Sequence, residues 1–501
     1  MKVDRSIAEG PVVAPNTDHG GGRAATIIVG VLLAVAAFLL YWWSNPVHWN
    51  QYNHFVWQAD AFLHGRAWFP YPVPSGADLP QNDYLQDVFP LRDALGNPDG
   101  RALLPFPPMP ALVLLPVVAL FGLATDQETV SIVLAALGVA LAWWMLGALR
   151  LQAAVRAAGT IIFATGTVWW WAAAVGSTWY LAHLVAVNFA LVAVGVALRH
   201  DPATVTESPR EEGDREAGRL EAEGHGRAGS LLVRIRGSAW PLDRSQVLAG
   251  FLLGLAVTAR LPLIFAAPFL VFTGGGGFAV RRAASAAVGG FVPVAALLLF
   301  TYVTTGSPLN PGYDYQYQLE ANGYPTLGYN PKWSVEDARY IPQNARIMFG
   351  ALPAIAPDIK PDTLGYGDPV PLCTLPGATR SLFDPDCPLA MPVDIGTSIL
   401  LSAPGLLLAL FAFRRHGRAR LSIGTAAAVL LIGTFNLAHF SQGWVQWGYR
   451  FSLDFIPFLL PMVALGAARD DGRLRVLAAA LIVAGAAINL WGVTWGGLLG
   501  W

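Results

Sequence analysis

The chain alternates between long apolar runs and polar connections along almost its whole length. Runs of roughly 20 apolar residues cross a bilayer as α-helices, because a helix satisfies its own backbone hydrogen bonds where water is absent. The pattern therefore predicts an all-α polytopic membrane protein with about 11 transmembrane helices. The apolar runs are 24–44, 127–148, 157–175, 179–198, 246–259, 261–273, 283–303, 395–413, 421–440, 451–468 and 474–498.

Arginine clusters in alternate connections, whereas the connections between those clusters are rich in Trp, Tyr, Pro, Asn and Asp. Cytoplasmic loops collect Arg and Lys, so the alternation predicts the N-terminus inside and the C-terminus outside. The predicted parts are a disordered cytoplasmic tail 1–22, a transmembrane part 23–199 with a first outward loop 45–126, a cytoplasmic linker 200–244, a transmembrane part 245–303, a large outward loop 304–394 and a transmembrane part 395–501.

Two apolar stretches have alternative interpretations. Met109–Leu123 could span the membrane, but the arginine clusters then fall on both sides, so we expect it to lie in the outer interface. The stretch 246–273 is interrupted by Arg260 and Pro262. We expect two short spans with Arg260 at the outer turn; the alternative is one long buried helix whose arginine extends to the surface.

Composition narrows the function classes. The 501 residues are 54% hydrophobic and 13% charged, whereas a soluble domain is about 25% charged. A net charge of −1 argues against nucleic acid as a partner. The sequence has no Walker loop, HExxH or zinc-type Cys–His spacing, which disfavours ATP hydrolysis and zinc chemistry. Both cysteines, Cys373 and Cys387, lie in the large outward loop, where a disulfide is expected and two free thiols are the alternative.

The segment after the first apolar run predicts an amphipathic helix that lies flat in the membrane interface. At helical spacing its polar and ionisable side chains share one face, and apolar side chains occupy the other. This face would hold chemistry where a lipid head group sits; the alternative is an ordinary solvated face. The residues of the polar face are Asn50, Asn53, His54, Trp57, Asp60 and His64.

Three further segments carry candidate ligand-binding side chains. An arginine at the membrane surface, such as Arg260, needs a partner, and a lipid phosphate suits its planar guanidinium. The alternatives are a head-group anchor or an intramolecular pair with a carboxylate. Tyr313 follows the turn Thr305–Pro308, and Trp444, Trp447 and Arg450 precede Asp454. Such aromatic residues either stack on sugar rings or anchor the chain at the interface.

Together these segments resemble the GT-C superfamily of membrane glycosyltransferases, which includes the protein O-mannosyltransferases and the lipid A aminoarabinose transferase. The resemblance covers about residues 24–465, without the 200–244 linker. The matching segments, in the order of the family, are Asp60–Gly65, Pro107–Met109 with Phe121-Gly122, Gly250–Pro262, Thr305–Tyr313 and Trp444–Pro457.

The sequence departs from the family at its acidic pair, which falls on Asn50-Gln51. Amides cannot accept a proton as a general base, so another group must do so or the reaction differs. The candidate carboxylates in the same loop are Asp60, Asp87 and Asp83, and His54 shares the polar face with Asp60. In the second outward loop His183 could serve as a base or bind phosphate; alternatively it is a helix-end histidine bonded to a carbonyl.

The resemblance implies a glycosyltransferase at the outer face of the plasma membrane that uses a polyprenyl-phosphate-linked sugar. The phosphate would pair with Arg260, with Arg450 as a second candidate. Asn50, Asn53, Tyr313, Trp444 and Trp447 would contact the substrates. The acceptor, a protein hydroxyl or a cell-envelope glycan, would approach over the 304–394 loop and displace the lipid phosphate with inversion.

A divalent metal ion is compatible with this chemistry, although no cluster in the sequence requires one. Two other classes stay open. One is a transporter of lipid-linked glycans, which should carry polar residues in mid-span and helix breaks in two matching halves. The other is an inactive relative that serves as a scaffold, which the Asn50-Gln51 replacement favours.

Overall fold

The computed structural model of the chain describes residues 21–45, 52–70, 88–202, 242–309, 312–313, 330, 332–363, 368–416, 419–443, 445–468 and 472–501. The described part is mainly helical, with a three-stranded sheet in the order β1-β3-β2 and a two-stranded sheet β4-β5, all antiparallel. The strands are β1 (Phe69–Pro70), β2 (Phe89–Arg92), β3 (Pro98–Leu103), β4 (Ala354–Ile355) and β5 (Ala390–Met391).

The α-helices follow the apolar runs. They are α1 (Gly21–Ser44), α2 (His54–Leu63), α3 (Met109–Phe121), α4 (Gln127–Leu146), α5 (Ala153–Thr165), α6 (Trp169–Val175), α7 (Thr178–His200), α8 (Arg244–Val257), α9 (Ala267–Phe272), α10 (Ala279–Thr305), α11 (Ile341–Gly350), α12 (Ile399–Ser402), α13 (Ala409–His416), α14 (Arg420–Ala438), α15 (Ile456–Ala467) and α16 (Gly472–Leu499). Short 3₁₀ turns, including Leu261–Ala266 and Arg450–Asp454, connect several of them.

Six described helices are long and apolar enough to cross a membrane, or seven if the bent pair α5–α6 is one span. The polytopic membrane character is therefore supported, but the expected number of about 11 spans is not reached by helices of spanning length. Several of the other apolar runs form shorter helices. One of them, α15, has 12 residues, which is about 18 Å of helix against a hydrocarbon core of about 30 Å.

The core is built around α7, whose apolar window is 83% buried. Three consecutive tryptophans of α6 pack beside it, and each is at most 2% exposed. Buried indole nitrogens need acceptors, and Trp169 donates to the Ala135 carbonyl oxygen at 3.2 Å. The surface of α10, by contrast, carries many exposed apolar residues, as expected of a helix that faces lipid.

Glycines bring α8 and α10 into backbone contact. A Cβ atom on Gly250 would lie 2.1 Å from the Ala286 carbonyl oxygen, and one on Gly289 would lie 1.9 Å from that of Val247. Membrane helices associate through such small residues because lipid gives them no hydrophobic driving force. The Gly250–Gly254 segment of the sequence therefore has a packing role, which fixes where α8 ends relative to α10.

The helix expected over 50–64 forms at His54–Leu63, but its polar face is not open to solvent. Asn53 and His54 are at most 1% exposed and Trp57 is 5% exposed. The expectation of a solvated polar face is therefore wrong for these three residues. The reason is tertiary: the His54 ring meets Thr178 and Trp179 of α7, while apolar rings on the opposite face meet Phe106 before α3 and Phe300 of α10.

A small lobe follows α10 in sequence and includes β4, β5 and the disulfide between Cys373 and Cys387. The Trp495 indole of α16 donates to the Leu382 carbonyl oxygen at 3.0 Å. Trp495 also packs with Leu372 and Met391 of the lobe. The lobe is thus attached to the last membrane helix as well as to its own ends.

Candidate functional site

A broken helix positions Arg260. Helix α8 ends at Val257, and Arg260 takes an extended conformation before the 3₁₀ turn Leu261–Ala266, whose second residue is Pro262. Proline cannot donate a backbone hydrogen bond, so the helix cannot continue unchanged through this point. The structure confirms the break in preference to one continuous helix. The break turns the Arg260 side chain toward the interior, where it is 19% exposed.

Asp454 receives the Arg260 guanidinium. Arg260 Nε donates to Asp454 Oδ1 at 3.2 Å, and Nη2 donates to Oδ2 at 3.0 Å. Asp454 is fully buried at the end of the turn Arg450–Asp454. A guanidinium has five N–H groups, so Nη1 and one N–H of Nη2 remain for another ligand. The intramolecular carboxylate partner considered for Arg260 is therefore present, and it still leaves donors unused by that pair.

Two more side chains surround the same carboxylate. The Asn436 amide donates to Asp454 Oδ2 at 3.0 Å, and His183 Nδ1 lies 3.0 Å from Asp454 Oδ1. His183 is fully buried, and its ring does not line the cavity described next, whereas that of its neighbour Ala182 does. A buried carboxylate needs several such partners. His183 therefore sits behind the wall of the site, as a partner of Asp454.

Arg260 lines a cavity of about 340 Å³. The remaining walls come from helices and turns that are far apart in sequence, and most of them are apolar or aromatic. The lining residues are Phe106, Pro107, Thr178, Trp179, Ala182, Ala259, Arg260, Leu261, Pro262, Leu309, Tyr313, Val335, Glu336, Phe435, Asn436, His439 and Phe451. An apolar cavity with a few polar groups is typical of a small-molecule site.

Glu336 contributes a carboxylate to this cavity. Backbone hydrogen bonds between the segments around Glu336 and His439 hold it in place. Phe440 N donates to Val335 O and Asp337 N donates to Ala438 O, both at 2.8 Å. His439 Nδ1 lies 3.3 Å from Glu336 Oε1. The Glu336 side chain is 42% exposed, so it is open to a ligand. The cavity therefore combines a guanidinium with a carboxylate–imidazole pair.

The neighbouring carboxylate, Asp337, forms an ion pair with Arg339. The Arg339 side chain donates to it at 2.6 and 2.8 Å. These hydrogen bonds and the backbone N–H of Arg339 lower the pKa of Asp337 to about 2. Asp337 is therefore a poor proton acceptor compared with a free carboxylate. On the other side of the site, burial raises the pKa of the Tyr449 phenol, and the Asp454 carboxylate acts in the same direction, so Tyr449 stays neutral.

An apolar groove of about 100 Å³ adjoins the cavity and shares Phe106, Pro107, Leu261, Leu309 and Tyr313 with it. Its other walls include Leu297, Leu298 and Phe300 of α10. The α10 surface beside it is apolar and exposed; Leu299 is 62% and Val303 73% exposed. The groove therefore connects the cavity with the face of the protein that lipid would contact.

The structure brings some of the expected site residues together. Arg260 and Tyr313 line the cavity, and His54 lies behind it, with its Nδ1 2.7 Å from the hydroxyl of Thr178. Arg450 lines a different cavity, which shares Trp179 with that of Arg260, and both guanidinium groups pack on the Phe451 ring, at 5.2 and 5.3 Å from its centre; the role of Arg450 as a second phosphate partner stays a prediction. Trp447 is fully buried, donates to Asn489 at 3.0 Å and serves the core.

Asp60 is the acidic candidate of the first outward loop that the structure describes. Asp60 is at the end of α2, where its Oδ2 lies 3.5 Å from the His64 ring, and it does not line the Arg260 cavity. Asn53 precedes α2 and is buried. Asn50, Asp83, Asp87 and Trp444 lie outside the described residues.

Glu336, His439 and Asn436 are site residues that the sequence pattern did not single out. Glu336 and His439 are 103 positions apart, and only the pairing of their backbones joins them. Asn436 lies in the last turn of α14, and His439 comes three positions later, directly after the helix. This helical spacing is the sequence pattern that relates the two residues. Across the described chain, no group of three His, Cys, Asp or Glu side chains is arranged to hold a metal ion.

No protein-family model and no curated protein sequence matches the chain. Among solved structures it is similar to the apo form of the oligosaccharyltransferase of Archaeoglobus fulgidus, with a TM-score of 0.43 and 12% sequence identity. The match covers 95% of this chain and 56% of that one, so this chain spans little more than half of its length.

Proposed function

We propose that the protein transfers a sugar from a polyprenyl-phosphate-linked donor to a hydroxyl acceptor in the Arg260 cavity. The observation that carries the proposal is the Arg260 side chain, which Asp454 holds in place while other guanidinium N–H groups stay available beside an apolar groove. Arginine binds phosphate oxygens through two parallel hydrogen bonds. A phosphate at Arg260 with its isoprenoid chain in the groove would leave the sugar inside the cavity.

Glu336 is the base in this proposal, with His439 beside it. The acceptor oxygen forms a bond to the anomeric carbon while the bond from that carbon to the phosphate oxygen breaks. The acceptor proton passes to the Glu336 carboxylate. The leaving phosphate takes the electron pair and is stabilised by Arg260. One direct displacement of this kind inverts the anomeric centre.

The orientation of the site and the class of acceptor are inferred from the sequence. The arginine alternation favours an outward-facing site in the plasma membrane. The acceptor is a cell-envelope glycan or a protein hydroxyl. Glu336 is preferred to Asp60 as the base because Glu336 lines the cavity and Asp60 does not; Asp87 is the other carboxylate that the sequence offers.

The test is sugar transfer by protein reconstituted in liposomes with a radiolabelled polyprenyl-phosphate sugar. A base contributes about 10²–10⁴ in rate, so Glu336→Gln should lose that much while remaining folded. Asp337→Asn is the matched control, because this adjacent carboxylate is paired with Arg339. Asp60→Asn and Asp87→Asn should keep their turnover. Full activity of Glu336→Gln would remove the base assignment, and no transfer by the unaltered protein from any such donor would overturn the function.

A further inference from the structure

A second cavity, of about 160 Å³, lies on the opposite side of Trp179 from the Arg260 cavity. Aromatic rings form much of its wall: Trp179 packs on Tyr52 at 4.9 Å between ring centroids, and Trp171 meets Trp501 edge to face at 6.3 Å. Ring faces of this kind offer flat apolar surface with polar edges. The lining residues are Asn45, Tyr52, Trp171, Ala174, Val175, Ser177, Trp179, Tyr180, Val445, Arg450, Val493, Gly496, Gly497, Gly500 and Trp501.

Polar residues are among those that line this aromatic cavity. Ser177 is 5% exposed, and within the described part of the chain its hydroxyl has no hydrogen-bond partner. The Asn45 amide donates both of its N–H groups, to Glu128 at 2.9 Å and to the Ala174 carbonyl oxygen, which leaves its own oxygen as an acceptor. Buried polar groups are normally satisfied. An unsatisfied hydroxyl at a cavity wall therefore points to a hydroxyl- or amide-bearing ligand.

Arg450 adds a cation that is held in place by rings. It is 7% exposed, and its guanidinium carbon lies 5.9 Å from the ring centre of Trp179 and 5.7 Å from that of Tyr180. The Phe451 ring is nearer still, at 5.2 Å, and cation–π contacts of this length attract the guanidinium to the ring faces. The cavity thus has a rigid donor beside flat apolar faces, which is the combination that a sugar ring with its hydroxyls requires.

A third cavity, of about 250 Å³, continues from the second and shares Val445 and Trp501 with it. It lies against the lobe that carries the disulfide, and its polar lining is mostly acidic. The charged residues among its walls are Lys360, Asp362, Asp368 and Asp394. The path from Trp179 therefore changes from a cation to carboxylates, so an anionic polymer would be attracted at one end and repelled at the other.

We propose that the second and third cavities together bind a neutral oligosaccharide of at least two sugar units. The two cavities combine aromatic ring faces, polar side chains that can hydrogen-bond to hydroxyls, and charges of both signs. This combination suits a neutral chain that carries many hydroxyl groups. Because Trp179 also borders the Arg260 cavity, the sugar nearest to it would be the acceptor of the transfer reaction. That last role rests on the proposed function; the binding itself does not.

Gly497 offers a variant that fills the mouth of the second cavity without disturbing the core. It lies on α16, lines the cavity, and a Cβ atom there meets nothing within 4 Å. Gly497→Leu should occupy space that a sugar needs. Gly433 on α14 is the matched control, because it too is helical and a Cβ atom there meets nothing within 4 Å.

The experiment is isothermal titration of the full chain in nanodiscs with neutral trisaccharides: mannotriose, maltotriose and cellotriose. We expect saturable binding of at least one, weakened at least tenfold by Gly497→Leu and by Ser177→Ala and unchanged by Gly433→Leu. No saturable binding of any trisaccharide, or equal affinity in Gly497→Leu, overturns the proposal. Binding of a serine-rich peptide that is sensitive to Gly497→Leu, in place of the saccharides, also overturns it.

Farnesyl phosphate separates this inference from the proposed function in the same preparations. Its binding should be lost in Arg260→Gln/Asp454→Asn, which leaves neither charge of the pair alone, while trisaccharide binding should not change in that variant. Trisaccharide binding without farnesyl phosphate binding keeps the oligosaccharide site and contradicts the donor site. Farnesyl phosphate binding without trisaccharide binding keeps the donor site and contradicts the inference.

Discussion

Arg260 and Asp454 are 194 positions apart in sequence and meet through two hydrogen bonds of 3.0 and 3.2 Å. The carboxylate is fully buried, whereas the guanidinium is 19% exposed to the cavity. The pair joins the break after α8 to the turn before α15. A single interaction therefore holds the donor-binding side chain and fixes two helices that frame the cavity.

Removing one partner of this pair should destabilise the protein strongly. Asp454→Asn leaves Arg260 and its neighbours without a countercharge, and breaking a buried pair costs about 3–5 kcal/mol. The free energy of unfolding in mixed micelles measures this loss. Asp358→Asn is the control, because Asp358 pairs with Arg380 while 90% exposed, and an exposed pair contributes about 0–1 kcal/mol.

The double variant Arg260→Gln/Asp454→Asn tests whether the two residues act as a unit. Its loss of stability should be smaller than the sum of the two single losses, since neither charge is then left alone. Additive losses would show that the two side chains contribute independently, and the positioning role of Asp454 would be wrong.

Backbone contact between α8 and α10 should make Gly250 intolerant of a side chain. Gly250→Ala places a methyl group 2.1 Å from the Ala286 carbonyl oxygen, so the helices must separate. Overpacking of this kind costs about 1–3 kcal/mol. The unfolding midpoint in denaturant measures it. Gly433→Ala on α14 has open space around the added methyl group and should leave the midpoint unchanged or slightly higher.

Gly443 should control the position of Arg450. Its φ is +105°, and a Cβ atom there would lie 2.9 Å from the guanidinium carbon of Arg450. Gly443→Ala should move the guanidinium and weaken trisaccharide binding severalfold. Gly377→Ala, at φ +78° with nothing within 4 Å, carries similar backbone strain without the clash. Equal affinities of these two variants would mean that Arg450 does not contact the saccharide.

Removing the disulfide should loosen the lobe without unfolding the membrane part. The bond closes a segment with a sequence separation of 14, and a loop of about that length is stabilised by roughly 3 kcal/mol. Cys373→Ser/Cys387→Ser should make the lobe more sensitive to limited proteolysis, while the Trp495–Leu382 hydrogen bond still attaches it. Cleavage at the rate of the unaltered protein would contradict this expectation.

The same two cysteines test the predicted orientation. In intact cells, a membrane-impermeant reductant followed by an impermeant maleimide should label them, because the lobe is expected outside. Labelling only after the cells are opened would place the lobe in the cytoplasm. That result would contradict the orientation predicted from the arginine clusters.

Short-range sequence patterns predict most of the helices and single out Arg260 as a site residue. The apolar runs predict α4, α7 and α14, and the Arg260–Pro262 sequence predicts a break that the structure contains. Arg260 could be singled out because a cation beside a membrane needs a partner. These inferences need only a few neighbouring residues.

Long-range packing decides the rest. The burial of His54 in α2 depends on Thr178 and Trp179 of α7, which a helical wheel of α2 does not include. Glu336 reaches the cavity because the segment around Val335 pairs with Phe440, and no sequence spacing predicts that register. The expected number of about 11 spans is not confirmed, because several of the predicted runs, such as those in α8 and α15, form described helices shorter than a membrane span.

One indole, that of Trp179, is common to the walls of both the Arg260 cavity and the aromatic one. A rotation of this side chain that enlarges one compartment and reduces the other would couple the occupancy of the two. Thermodynamic reciprocity then requires any effect to be mutual: if a lipid phosphate changes the affinity for a saccharide by some factor, the saccharide changes the affinity for the lipid by the same factor.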